Sequence, residues 1–137
     1  MGYAITTTVD QPFGIVLARV RAALVAQGFG VLTEIDIKAT LKDKLGVDVA
    51  PQIILGACRP PLAYAALQAE PSIGLLLPCN VVVRATDDDS TVVEAVNPQT
   101  MVSMTANPEL QTVADDATHR LTTALASLTP DPEGDNR

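Results

Sequence analysis

The chain has 137 residues, enough for one domain and too few for two. Its 16 acidic and 9 basic side chains give a net charge of −7, which repels phosphate backbones and argues against nucleic acid as a partner. Two Tyr, two Phe and no Trp leave no aromatic platform for stacking bases, so Val, Leu, Ile and Ala must build the core.

Residues 3 to 9 alternate Tyr3, Ile5, Thr7 and Val9 with smaller or polar neighbours, which predicts a strand. Asp10 precedes Gln11 and Pro12, a helix start with Pro in the first turn. Phe13, Val16, Leu17, Val20 and Leu24 continue it at helical spacing, and Gly28 ends it as a left-handed residue. A second strand runs from Phe29 to about Ile35. Asp36 then opens a shorter helix whose apolar positions are Ile37, Leu41 and Leu45, closed by Gly46. Residues 53 to 57 read as a short buried strand. Pro60 and Pro61 start a third helix, which ends near Glu70.

The stretch 75–85 is apolar but broken at Pro78, Cys79 and Asn80, with clear strand character at Val81, Val82 and Val83. Residues 86 to 90 form a turn, and the strand from Thr91 to Val96 returns as an antiparallel hairpin. Asn97-Pro98 breaks it before a short helical turn over 99–104. Asn107 caps the last helix, with Pro108 at its first position and Glu109 in its first turn. Leu110, Val113, Ala114, Ala117, Leu121, Ala124, Leu125 and Leu128 mark its buried face. The polar residues after 128 have nothing to bury and are expected to be a disordered tail.

Helices alternate with strands early and a hairpin comes late. This order predicts a single α+β domain over residues 1–128, with a mixed, partly antiparallel sheet and helices packed mainly on one face. No apolar run reaches the roughly 18 residues of a membrane span, and no basic amphipathic stretch suggests surface binding, so no membrane partner is expected. The N-terminus lacks a signal-peptide pattern, and the expected location is cytoplasmic. Met1-Gly2 with Thr6 matches the myristoylation pattern formally, but the same residues read as the first strand.

Three blocks carry a resemblance. The first spans 28–42 and includes Gly28-Phe29-Gly30 and Glu34-Ile35-Asp36-Ile37-Lys38. The second is Ile54-Leu55-Gly56-Ala57-Cys58-Arg59-Pro60-Pro61-Leu62-Ala63. The third is Ala66-Leu67-Gln68-Ala69-Glu70-Pro71 followed by Ile73-Gly74-Leu75-Leu76-Leu77-Pro78-Cys79-Asn80-Val81-Val82-Val83. Together they resemble the domain of unknown function family numbered 302 (DUF302), over nearly the whole chain to about residue 128. The resemblance implies an α+β domain that forms a homodimer, and it brings no established activity. Two positions depart from it. Arg59 stands where members often carry Asn, and Ala50-Pro51-Gln52 replaces a stretch that often includes an aromatic.

The candidate site residues come from this chain's own chemistry. Cys58 ends a buried strand just before Pro60, so a helix N-terminus and Arg59 would favour its thiolate. Cys79 follows Pro78 and precedes Asn80 at a break in strand pattern. Twenty residues separate the two cysteines, enough for a helical crossover, and adjacent strands would bring them together. The plainer reading of both is as packing residues, because free cysteine behaves as a small hydrophobe and their neighbours are apolar. Their spacing is not C-x-x-C and the one His is remote, so no metal is expected. No cofactor motif is present.

Glu34 and Asp36 alternate at a strand exit and are the remaining acid/base or cation candidates, with a helix cap as the plainer reading. His119, with Asp115 and Asp116 before it, reads as an exposed His beside acids. Asp87-Asp88-Asp89 lacks the distal Glu of a calcium loop and reads as a hydrated turn. Three functions follow: a homodimeric module that binds a small ligand or a partner, a thiol redox or sulfur-handling protein using Cys58 with Cys79, and an acid/base or metal-assisted enzyme using Glu34 and Asp36.

Overall fold

Period-two patterning at the start of the chain forms β1 (Ala4–Val9), and the helical spacing after Pro12 forms α1 (Phe13–Ala26). The computed structural model describes residues 2–129; the expected tail from 130 onward lies outside the described residues. β2 (Gly30–Asp36), α2 (Ile37–Leu45), β3 (Gln52–Cys58) and α3 (Pro60–Ala69) follow. After a 3-10 segment (Pro71–Leu76) come β4 (Cys79–Asp87), β5 (Ser90–Val96), α4 (Gln99–Thr105), a 3-10 turn (Pro108–Leu110) and α5 (Gln111–Ala126).

The α+β class stands, but the sheet is not mixed. Its order is β1-β5-β4-β3-β2, and all four pairings are antiparallel. The β1-α1-β2 unit suggested a parallel pair because such units usually make neighbours of their strands. Here β1 and β2 lie at opposite edges, and α1 spans the sheet between them. They share a direction without sharing a hydrogen bond.

One face of the sheet carries the main core. Ile53, Leu55 and Ala57 of β3 face the same way as Val81 and Val83 of β4 and Val93 and Ala95 of β5. Val16, Val20 and Leu24 of α1 and Leu121, Ala124, Leu125 and Leu128 at the chain's end cover them. A second, smaller core lies beyond the sheet's end, where Ala66, Ile73, Met101, Leu110, Val113 and Ala114 meet. The candidate site sits between the two.

Local signals explain most helix ends. The Asp36 side chain accepts from the Ala39 N–H at 2.9 Å, and Gly46 closes α2 in the left-handed region at φ 70°. Gly28 follows α1 at φ 85°. Asn107 accepts from the Glu109 N–H at 2.9 Å and donates to the Ala69 carbonyl and the Glu70 carboxylate, both at 3.0 Å. Pro12 is the N-cap of α1 and not a first-turn residue, and Asp10 makes no cap. Of α2's apolar positions, Ile37 and Leu41 are half-buried, while Leu45 is 69% exposed. The hairpin turn is also tighter than the sequence indicates, because Asp87 pairs with Ser90 and only Asp88 and Asp89 lie between.

Candidate functional site

The antiparallel register of β3 and β4 places Ala57 opposite Cys79 and Gly56 opposite Asn80. Cys58 is therefore one residue out of step with Cys79 at the end of the same ladder. In a regular pleat such neighbours point to opposite faces. Both strands end here, however, and both cysteines line one small cavity of about 30 Å³. That is room for roughly one or two water-sized groups. Phe29 and Ala57 from the main core and Met101 and Val113 from the second form its apolar walls, with Arg59 also lining it.

Both thiols are free and partly shielded from solvent. The Cys79 thiol is pushed up from 9.0 to about 11, first by burial and second by the nearby charge of Cys58. The pair is thus asymmetric: burial is the main reason that Cys79 keeps its proton well into the alkaline range. Cys79 also borders a second recess of about 220 Å³, walled by Tyr3, Leu76, Val96 and Met104.

The helix after Cys58 offers less than its position suggests. Pro60 and Pro61 occupy its first two positions and carry no N–H. The next two donors, Leu62 and Ala63, both bond the Arg59 carbonyl at 3.0 Å. The free N–H groups expected to face a Cys58 thiolate are therefore missing, and two prolines in the sequence already say so.

Arg59 is the local cation. Its Nε is buried without a hydrogen-bond partner, an arrangement that ordinarily costs about 1–3 kcal/mol. The left-handed Gly28 makes room for it. A Cβ at Gly28 would stand 3.1 Å from the Arg59 Nε and 3.9 Å from Nη1 of Arg120. Sequence reading treated Gly28 only as a helix terminator and missed this second role. It also missed the Asp116–Arg120 pair at 2.6 Å, which the spacing of four signals.

The other candidates lie elsewhere. Asn80 is exposed and lines a recess with Tyr3, Val82 and Glu94, away from the cysteine cavity. Glu34 pairs with Arg21, and Asp36 is the α2 cap. His119 is exposed. Asp115 accepts from Gln99 and Gln111, and Asp116 from Arg120. Among the described residues no three His, Cys, Asp or Glu side chains gather as a metal cluster. No helix there is long and apolar enough to cross a membrane.

Comparison with known proteins adds a family and a fold. A crystal structure of an uncharacterised conserved DUF302 protein from Bacillus stearothermophilus is similar to this chain, with a TM-score of 0.83 and 29% identity. The match covers 92% of this chain and 98% of that one. No curated protein matches. The model of the domain of unknown function DUF302 matches residues 5–128, and the chain belongs to that family.

Proposed function

We propose that the protein is a two-cysteine thiol–disulfide module, with Cys58 as the attacking thiol and Cys79 as the resolving one. The observation that carries this reading is the single cavity both residues line at the end of β3 and β4. Cys58 is the thiol beside a cation and at the strand's exit, while Cys79 is held protonated by burial and by Cys58 itself.

The chemistry balances with a low-molecular-weight disulfide as oxidant. The Cys58 thiolate attacks one sulfur and forms a mixed disulfide, and the other half leaves as a thiolate that takes up a proton. Capping Cys58 removes the smaller cause of the raised Cys79 pKa, and burial, the larger, remains. Cys79 then attacks the Cys58 sulfur as its proton passes to the second half, which leaves as a thiol. One external disulfide becomes two thiols, and the two cysteines become one disulfide. The cavity is small, about 30 Å³, so the ligand's bulk stays outside it.

The test is mass spectrometry after treatment with a small disulfide at neutral pH. The wild-type chain is expected to lose two protons and retain no adduct. Cys79→Ser is expected to trap the reagent on Cys58, and Cys58→Ser is expected to stay unmodified. Labelling of Cys79 before Cys58 would overturn the assignment.

A specific observation favours a second reading, a homodimeric interaction module. The two edges of the sheet are protected unequally. β2 carries Glu34, Asp36 and a bulge between Val31 and Thr33, the usual guards of an edge strand. β1, with sequence AITTTV, carries no charge, no Pro and no bulge. A second copy adding at β1 would extend the sheet. Sedimentation at micromolar concentration tests this, and a monomer there refutes it.

A further inference from the structure

We infer that Arg59 docks an oxyanion carried by the sulfur compound that Cys58 attacks, which makes the co-substrate a carboxylate-bearing disulfide or thiosulfate. The inference rests on the thiol reading above and names its substrate class.

Five arginines lie among the described residues, and four have acceptors. Arg19 donates to Gln11 and to the Ser127 carbonyl, Arg21 pairs with Glu34, and Arg84 pairs with Glu94. Arg120 pairs with Asp116 and donates to the Gln27 carbonyl. Arg59 alone among them has no hydrogen bond or ion pair, and its Nε is buried. In a chain of net charge −7 an unpaired arginine is not explained by a shortage of acids.

Its placement is specific. Arg59 follows Cys58 directly and lines the same cavity. Gly28 leaves room for the side chain, since a Cβ there would crowd Nε at 3.1 Å. The Arg120 guanidinium approaches the same glycine, and Asp116 is already bonded to it. A guanidinium fork fits a carboxylate or a sulfonate through two parallel hydrogen bonds. Because the cavity is small, the remainder of the compound stays outside, where Arg59 is the neighbouring charge.

The two classes share this anchoring and differ in the leaving group. With a carboxylate-bearing disulfide, a new bond forms between Cys58 and one sulfur, and the old S–S bond breaks with its electron pair on the departing thiolate. With thiosulfate, Cys58 bonds the outer sulfur, the S–S bond breaks, and sulfite leaves with the pair. Cys58 then carries a persulfide.

The experiment compares three probes on the full chain: dithiodiglycolate, neutral bis(2-hydroxyethyl) disulfide, and thiosulfate. Initial rates of Cys58 modification are read by mass spectrometry in Cys79→Ser, which traps the adduct, alone and combined with Arg59→Gln or Arg59→Lys, with thermal melts to confirm that each is folded. Arg59→Gln is expected to slow an anionic probe on the order of tenfold to a hundredfold, the loss of a hydrogen bond to a charged group. The neutral probe is expected to change less than about twofold, and Arg59→Lys is expected to recover part of the anionic rate. Arg59-dependent gain of one sulfur identifies thiosulfate, and Arg59-dependent dithiodiglycolate exchange identifies the carboxylate. Equal slowing of anionic and neutral probes, or no slowing of either, overturns the inference while leaving the thiol reading intact. If Cys58 takes up none of the three in Cys79→Ser and the wild type forms no disulfide with any of them, both fall.

Discussion

Ala57 faces Cys79 across the β3–β4 ladder, so Cys58 and Cys79 are neighbours one residue out of step. They share one cavity, and burial first and Cys58 second raise the pKa of Cys79. Their closeness follows from the pairing of two strands that a helix and a 3-10 segment separate in sequence.

Removing Cys58 should ease ionisation of Cys79 without normalising it. Its charge is the second cause of the raised value, and burial, the larger cause, remains. In Cys58→Ser the thiolate absorbance of Cys79 is expected to appear below pH 11 but still above 9. An unchanged midpoint would mean that the two thiols do not interact.

Cys79 also makes stability depend on alkaline pH. Its folded pKa lies above the unfolded one, so the folded state keeps a proton that the unfolded state releases. The resulting stabilisation is fully present below pH 9 and is lost as pH rises through about 11. The difference corresponds to about 2–3 kcal/mol at most. Denaturant melts of the wild type and Cys79→Ala between pH 8 and 11 are expected to converge as pH rises. Parallel curves would contradict this.

Gly56 lets two side chains close over the sheet beside the site. A Cβ there would stand 2.1 Å from Thr33 Oγ1 and 2.8 Å from Pro78 Cγ. Threonine can rotate away, but the proline ring next to Cys79 has little freedom. Gly56→Ala is expected to lose about 1–3 kcal/mol by overpacking. Adding Thr33→Ala should restore only part of it, as measured by chemical denaturation.

Asp36 is a structural residue whose loss should leave the thiols alone. Asp36→Ala removes the α2 cap and is expected to cost about 1 kcal/mol. The rate of Cys58 labelling should not change. A large change would bring the acidic strand exit back as part of the site.

The final helix and α2 present a contrast. Leu121 is fully buried against the sheet, and Leu121→Ala is expected to cost about 2–5 kcal/mol. Leu45 is 69% exposed, and Leu45→Ala should stay within about 0.5 kcal/mol. Two urea melts decide whether the apolar spacing in α2 reflects a buried stripe.

Nearly every element can be identified from the amino-acid order, because apolar spacing, caps and prolines act within a few residues. The Asp36 and Asn107 caps, the Gly46 stop and the hairpin before Asn97 were all legible there. It also placed Cys58 at a strand end before a proline-started helix, although the same prolines removed the N–H groups that made the position attractive. Only the tertiary structure decided which strands are neighbours. The sheet is antiparallel because α1 carries the chain from one edge to the other, a path that periodicity does not encode. That choice brings β3 beside β4 and joins Cys58 to Cys79. It also sets Arg59 against Gly28, about thirty residues earlier in the chain. Local patterns record which side of an element is buried. They do not record what it is buried against, and the site is made of those long-range contacts.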